Sequence, residues 1–351
     1  MSSVVLVTGG AGFIGSQIVD LLVEDGQQVR VVDCFHPAAH SSRPDYLNPG
    51  AEYVDADLAD PDIYDGALAG VGAVCHQAAM VGLGVDFGDA QDYVEANCLG
   101  TARLLTALSN RSFSGPLVLA SSMVVYGEGR YECGVHGTVR PGARRRENLL
   151  AGEFEPRCPA CDQSLQPGLV GEDAPMDPRN VYAASKLHQE HLCSLFAREA
   201  DGVRCVALRY HNVYGPRMPS DTPYAGVASI FRSSVARGEA PAVFEDGGQI
   251  RDFVHVRDVA RANILALDTS SEAEGPFNIA SGHTRTIKDM ADLLAREAGP
   301  GAPEPRVTGE FRLGDVRHVF ADPARAADQL GFRAEIGLEE GMHEFATARL
   351  R

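Results

Sequence analysis

Four consecutive apolar residues, Val4–Val7, open the chain and run straight into a glycine-rich turn. So short an unbroken apolar stretch predicts a parallel strand covered on both faces. After the turn, Ile18, Leu21 and Leu22 recur at helical spacing, and a β-branched run, Val29–Val32, ends at Asp33. Together these predict a βαβ unit. Further on, "LASSMVVYG" (119–127) reads as a buried strand ending in hydroxyl groups, and "NVYAASKLHQEH" (180–191) as a helix. The Gly/Pro-rich "REAGPGAPEPRV" (296–307) marks a loop ahead of a further strand carrying Arg312. The 351 residues favour about two domains, without internal repeats.

The first turn carries candidate chemistry. Gly9, Gly12 and Gly15 let the backbone approach a pyrophosphate at the helix N-terminus, where free N–H groups and the helix dipole favour anions. Asp33 follows Gly15 by 18 residues, placed to accept hydrogen bonds from an adenosine ribose diol. Its carboxylate repels a 2′-phosphate and no arginine follows it, which favours NAD over NADP.

The spacing is G-x-x-G-x-x-G, and "TGGAGFIG" (8–15) resembles the extended short-chain dehydrogenase/reductase family, the NAD-dependent nucleotide-sugar epimerases and dehydratases. The resemblance runs along nearly the whole chain. It implies an α/β fold, a Rossmann-type doubly wound parallel sheet over 1–212 and 249–272, with a smaller α/β substrate domain over 213–248 and 273–351. It also implies NAD contacts from Gly9, Gly12, Phe13, Ile14, Gly15 and Asp33. Asp57 and Leu58 of "DADL", Ala78 of "CHQAA" and Asn97 of "EANCLGT" complete the expected cofactor site.

Tyr182 and Lys186 stand at i and i+4, hence on one helix face. A free tyrosine titrates near pH 10, so a tyrosine base at neutral pH needs a neighbouring ammonium and the positive nicotinamide ring. Such spacing alone more often describes a solvated helix face; its place after the glycine turn and the serine strand points to catalysis. By resemblance, Ser122 holds a substrate hydroxyl, Tyr182 is the base, Lys186 supports it, and Tyr182 and Lys186 also touch NAD. The family's 4,6-dehydratases carry acidic residues two and three positions before the tyrosine of V-Y-G, where this chain has Val124 and Met123. Related decarboxylating enzymes carry a glutamate at the position of Val124. The departure favours epimerisation at one carbinol carbon, C4 by resemblance, through a transient 4-keto sugar with NAD tightly bound and regenerated. Two alternatives are a nucleotide-sugar oxidoreductase releasing a keto product and a non-catalytic NAD-binding sensor.

The resemblance also places the nucleotide-diphosphate sugar. Asn212 of "LRYHNVYGPR" (208–217) lies near the diphosphate, and "SDTPYAGVASIF" (220–231) forms a loop and helix over the nucleotide. Phe244 covers the base, Arg251 clamps the diphosphate, and Arg312 of "FRLGDVRHVFAD" (311–322) supplies a second guanidinium. His211 replaces a residue often aromatic in the family and is expected to pack. The net charge of −17 argues against nucleic acid or an anionic membrane as partner, so an anionic substrate needs such a local arginine cluster.

Between Ser122 and Tyr182 lie 59 residues, and the excess over compact family members is roughly 128–171. It contains Cys133 and His136 in C-x-x-H, then 21 residues, then Cys158 and Cys161 in C-x-x-C. Four soft ligands in two knuckles predict a zinc-ribbon-like insertion around a structural zinc, with unliganded thiols as the other reading. A redox pair would open a helix after a strand, whereas this one follows "EFEPR" in a Gly/Pro-rich stretch. The run "ARRRE" (143–147) is expected on a solvated face. Cys34, Cys75, Cys98, Cys193 and Cys205 read as packed small hydrophobes. With "AAMVGLGVDF" (78–87) and "PYAGVASIF" (223–231), the insert is similar to the dTDP-rhamnose 4-epimerase-like branch, a lead on substrate. No apolar run approaches membrane-spanning length and "MSSVVLVTGG" is unlike a cleavable leader, so a cytoplasmic location is expected. Helices near 93–109 and 182–200 are expected to pair in a homodimer, as in the family.

Overall fold

The structure is a computed structural model that describes residues 3–37, 39–40, 42–82, 87–220 and 226–351. Positions 83–86 and 221–225, inside two of the stretches matched above, lie outside the described residues. Seven strands build the large sheet: β1 (Val4–Thr8), β2 (Gln28–Asp33), β3 (Glu52–Asp55), β4 (Val71–His76), β5 (Gly115–Ser122), β6 (Val203–Tyr210) and β7 (Gly275–Ile279). All pair in parallel, in the order β7-β6-β5-β4-β1-β2-β3. The order reverses between β1 and β4, and such a switch point opens a crevice at the carboxyl ends of the strands. Thr8 pairs with His76, and Ser122 and Ile279 both pair with Tyr210, so the strand ends share one edge.

Alternation along each strand explains why both faces are covered. Val5 and Val7 pack with Ile18, Val19 and Leu22 of helix α1 (Phe13–Glu24). Leu6 points the other way, toward Leu104, Leu105 and Leu108 of α2 (Gly100–Ser109) and Cys193 of α3 (Val181–Glu199). Helix α4 (Val256–Leu267) returns beside α1, contributing Val259, Ala260 and Ala266 to the first layer. Cys75, Cys193 and Cys205 pack as expected, but Cys34 is exposed because it falls just past the end of β2. Among the described residues, no helix is long and apolar enough to cross a membrane.

A smaller unit packs Tyr214, Phe231, Phe253, Met290, Leu294, Met342 and Phe345 together. Beside it, Asn212–Tyr214, Ile250–His255 and Thr284–Thr286 form a three-stranded sheet. The divide between the units runs through Ile250–His255 itself. Its Phe253 enters the small core while Val254 enters the large one, as alternation along a strand requires. Residues 275–279, placed from sequence in the smaller unit, form an edge strand of the large sheet.

Three further readings need correction. The strand expected over 119–127 ends at Ser122, and Met123–Tyr126 is a 3₁₀ turn. Residues 311–322 form no regular strand; Ala321 alone bridges to Val170. Within "ARRRE", the Arg144 side chain is largely covered and ion-paired with Glu245 at 2.7 Å, while Arg145 and Arg146 are exposed. The insert folds as an antiparallel sheet of Arg130–Cys133, Gly137–Val139 and Gln166–Gly168. Around the cysteines its buried cluster is small, Tyr131, Cys133, Cys158 and Leu165, while Leu149, Phe154 and Val170 are buried apart from it.

Candidate active site

At the end of β1 the chain makes the glycine turn. Gly9 adopts φ +68°, and a Cβ there would lie 2.7 Å from the backbone nitrogen of Ala78. Gly12 precedes α1 without a side-chain cap, so the first N–H groups of the helix face the crevice unclaimed by a capping side chain. Gly15 serves packing: its Cβ would meet the carbonyl oxygen of Gly9 at 2.2 Å. Asp33 holds the turn in shape, accepting the N–H of Ala11 at 3.0 Å and that of Phe35 at 2.9 Å. A close-approach glycine, an uncapped helix start and a carboxylate at the end of β2 fit a dinucleotide.

The other expected cofactor residues differ in how far they reach the crevice. Phe13 and Ile14 form the first turn of α1, partly buried. Asp57 is exposed and accepts the N–H of Ala59, whereas Leu58 is buried in the layer beneath the sheet. Asn97 lies fully buried on a π-helical stretch, Val94–Leu99. Its amide accepts from the N–H of Met80 and donates to the Met80 carbonyl and the Ser185 hydroxyl. It therefore ties the segment after β4 to α3 rather than facing open crevice.

Ser122, Tyr182 and Lys186 come together at the carboxyl edge. Ser122 ends β5, and its hydroxyl caps the following 3₁₀ turn and lies close enough to Tyr182 to act on its phenol. Asn180 caps α3 by accepting the N–H of Ala183 at 2.8 Å, which fixes where Tyr182 and Lys186 emerge. Burial pushes the Tyr182 phenol up to about 12, and Ser122 works against that rise. Lys186 is also buried; its Nζ donates to the Ala120 carbonyl at 2.9 Å, and burial lowers it to about 8. At neutral pH Lys186 remains an ammonium, aimed at the strand that ends in Ser122. Tyr93 stacks obliquely on Tyr182, with ring centres 6.0 Å apart.

Behind this group lie residues that sequence reasoning missed. His76 is buried among Thr8, Thr101 and Gln189, and burial lowers its imidazole to about 3. Glu190 takes a bidentate bond from Arg209 (3.0 and 2.8 Å) and accepts from Ser121, the neighbour of Ser122. Arg209 continues to Tyr126, and Tyr126 to Asn278. Glu190 follows Lys186 by one helical turn, a signal available in the sequence; its partner on β6 was not.

The expected substrate residues divide. Asn212 Oδ1 is buried without a hydrogen-bond partner among the described residues, consistent with a ligand contact. Arg312 stacks over Phe244, its guanidinium carbon 5.1 Å from the ring centre. Arg251 donates to the carbonyls of Ile250, Arg317 and Val316 at 2.7–2.8 Å, which fixes the direction of its guanidinium. Asp315, another residue not anticipated, feels Arg312, Arg251 and Arg144, while burial pushes its carboxyl up. His211 is packed as expected, and burial lowers it to about 3.

In the insert, Cys133, His136, Cys158 and Cys161 converge, their ligand atoms within 4.8 Å of one another. The Cys133–His136, Cys133–Cys161 and Cys158–His136 separations are each 3.6 Å. A tetrahedral zinc with bonds of about 2.0–2.3 Å has edges close to this, so the donor set fits. The N–H groups of Val135 and His136 point at Cys133 and pull its thiol down to about 6, favouring the thiolate a metal needs.

Fold and site together define an α/β protein of Rossmann type. The profile of the NAD dependent epimerase/dehydratase family matches residues 5–280. The chain is 36% identical over 348 residues to dTDP-L-rhamnose 4-epimerase of Burkholderia thailandensis, covering 98% of this chain and 94% of that one. It is structurally similar to a UDP-glucose 4-epimerase with UDP-glucose from Thermotoga maritima, with TM-score 0.79, 29% identity and coverage of 98% and 97%. Against a Thermus thermophilus UDP-glucose 4-epimerase complex with NAD, the TM-score is 0.75 at 31% identity, with coverage of 98% and 97%. This chain belongs to the NAD-dependent epimerase/dehydratase family.

Proposed function

We propose that the protein is an NAD-dependent nucleotide-sugar epimerase that inverts one carbinol carbon, C4, through a transient 4-keto sugar. The observation that carries this reading is the Ser122–Tyr182–Lys186 group beside the glycine cradle, followed by Met123 and Val124 where water loss would need acids. Bound NAD⁺ supplies a hydride acceptor that later returns the hydride. Tyr182 takes the proton of the sugar hydroxyl, Ser122 holds the same oxygen, and Lys186 offsets the charge that develops on the phenolate. Because burial opposes that phenolate, the cationic neighbours are essential to the step. Asn212, Arg251 and Arg312 hold the diphosphate and Phe244 lies against the base, so binding energy comes from a part of the substrate remote from the reaction. The NAD contacts are assigned to the turn from Gly9 to Gly15, Asp33, Asp57 and Ala78.

A structural zinc on Cys133, His136, Cys158 and Cys161 belongs to the same reading. Four protein ligands close the coordination sphere, which leaves the metal a role in folding alone. Homodimerisation through the α2 and α3 region is supported by exposed Val94, Leu99 and Leu195 on packed neighbouring helices. The deciding experiment is NMR of the purified protein with a panel of dTDP- and UDP-sugars. A second stereoisomer at C4 is expected, with no net NADH. Stoichiometric keto product with NADH accumulation would replace epimerisation by net oxidation.

A further inference from the structure

The insert does more than bridge Ser122 to Tyr182, because its polar residues reach across to the segment that carries the arginines. Glu128 accepts the backbone N–H of Arg317 with both oxygens, at 3.1 and 3.3 Å, and the hydroxyl of Tyr131 at 2.8 Å. That tyrosine oxygen in turn accepts the N–H of His318 at 3.1 Å. Glu155 binds Arg317 at 2.6 Å and the Nε2 of His318 at 2.8 Å, while His318 Nδ1 accepts the N–H of Ile250 at 3.1 Å. This pattern assigns the ring proton to Nε2 and makes His318 a strut between the insert and Arg251's own strand. The carbonyls of Val316 and Arg317 are the ones that hold the Arg251 guanidinium.

A second grip falls on Phe244. Arg144 pairs with Glu245 at 2.7 Å and donates to the carbonyl of Asp315 at 2.8 Å, so one side chain ties together the neighbours of Phe244 and Arg312. Glu245 sits at φ +54°, a backbone state that residues with side chains rarely adopt. Strain of this kind persists only where the surroundings hold it. Here Arg144 and Arg317 share the buried carboxylate, the latter at 2.8 Å. Every hold on the insert's side comes from a unit whose buried apolar cluster around the cysteines is only four residues. Glu155 lies three residues before Cys158, and Glu128 five before Cys133.

We propose that the insert is a metal-stapled brace of the nucleotide-diphosphate site, in which Glu155, Glu128 and Arg144 are positioning residues for Arg251, Phe244 and Arg312. The brace rests on the zinc and substrate-site readings above, and the test separates the three. Full-length wild type, Glu155→Gln and Cys161→Ser are purified without chelator or affinity-column metal. Each is measured for zinc, for bound NAD, for dTDP and UDP affinity by calorimetry, and for KM and kcat on the sugar that wild type epimerises. Glu155→Gln should keep its zinc and NAD yet weaken nucleotide binding and raise KM about tenfold, with kcat changed less than about twofold. Cys161→Ser should lose zinc and show the same split, with NAD retained. Nucleotide affinity unchanged within about twofold in both variants would overturn the brace while leaving the zinc reading intact. Zinc below about a tenth of an equivalent in wild type would remove the staple, and Glu155→Gln would then decide the brace alone. Should Cys161→Ser not fold, Glu128→Gln replaces it as the second variant. A wild type that binds neither dTDP nor UDP would overturn the substrate site and the brace together.

Discussion

At Tyr182, the surroundings oppose the chemistry the residue is proposed to do. Burial lifts its phenol to about 12, beyond the range of a base at neutral pH, and only Ser122 relieves the rise within the chain. Lys186, lowered to about 8, still carries its proton at pH 7, and in the proposed step it is one of the charges required. Tyr182→Phe should therefore lower kcat by about 10²–10⁴ while the protein keeps its NAD, because the ring still packs on Tyr93. Turnover by NMR and NAD released on denaturation check the two halves separately, and turnover within tenfold of wild type would exclude Tyr182 as the base. The pair was legible as i and i+4 on a helix. The pairing of Glu190 with Arg209 was not, because their bond joins α3 to β6, which spacing along either element does not report.

Among the elements, the β1–α1 turn is the most constrained by its own sequence. Gly15→Ala would press a methyl into the Gly9 carbonyl, so α1 must move off the strand it packs on. We expect a loss of about 1–3 kcal/mol in urea unfolding and purification without bound NAD. An alanine variant that keeps both stability and cofactor would show that the turn has slack. The helix with Asn97 teaches the opposite lesson. Asn97, expected at the cofactor, lies on a π-helical turn, which shifts the side-chain phase, and it hydrogen-bonds Met80 and Ser185. Nothing in "EANCLGT" distinguishes the two helix types.

For the molecule as a whole, buried neutral histidines set its response to acid. His76 and His211 are lowered to about 3 and His255 to about 4, in each case first by burial. An unfolded histidine titrates near 6.5, so below that pH the unfolded chain binds protons that the native one refuses. The stability these groups contribute is fully present above pH 6.5 and falls as the pH drops toward their folded values. From pH 7 to 5.5 the three should cost about 3–4 kcal/mol of unfolding free energy in urea. His211→Phe should reduce that loss by roughly a third, and an unchanged pH dependence would mean that His211 is protonated in the native state.

Local sequence determined the βαβ start, the glycine cradle, the Tyr182–Lys186 face and the two cysteine knuckles. Each depends on residues close together in the chain, where backbone geometry alone decides which side chains meet. Only the tertiary structure decided where Arg251, Arg144 and Asn97 point. Their partners lie on segments distant in sequence: Val316 and Arg317 for Arg251, Glu245 for Arg144, and Met80 and Ser185 for Asn97. A buried guanidinium or amide takes whatever acceptors the packing brings to it, since leaving it unpaired costs more than any local preference can return.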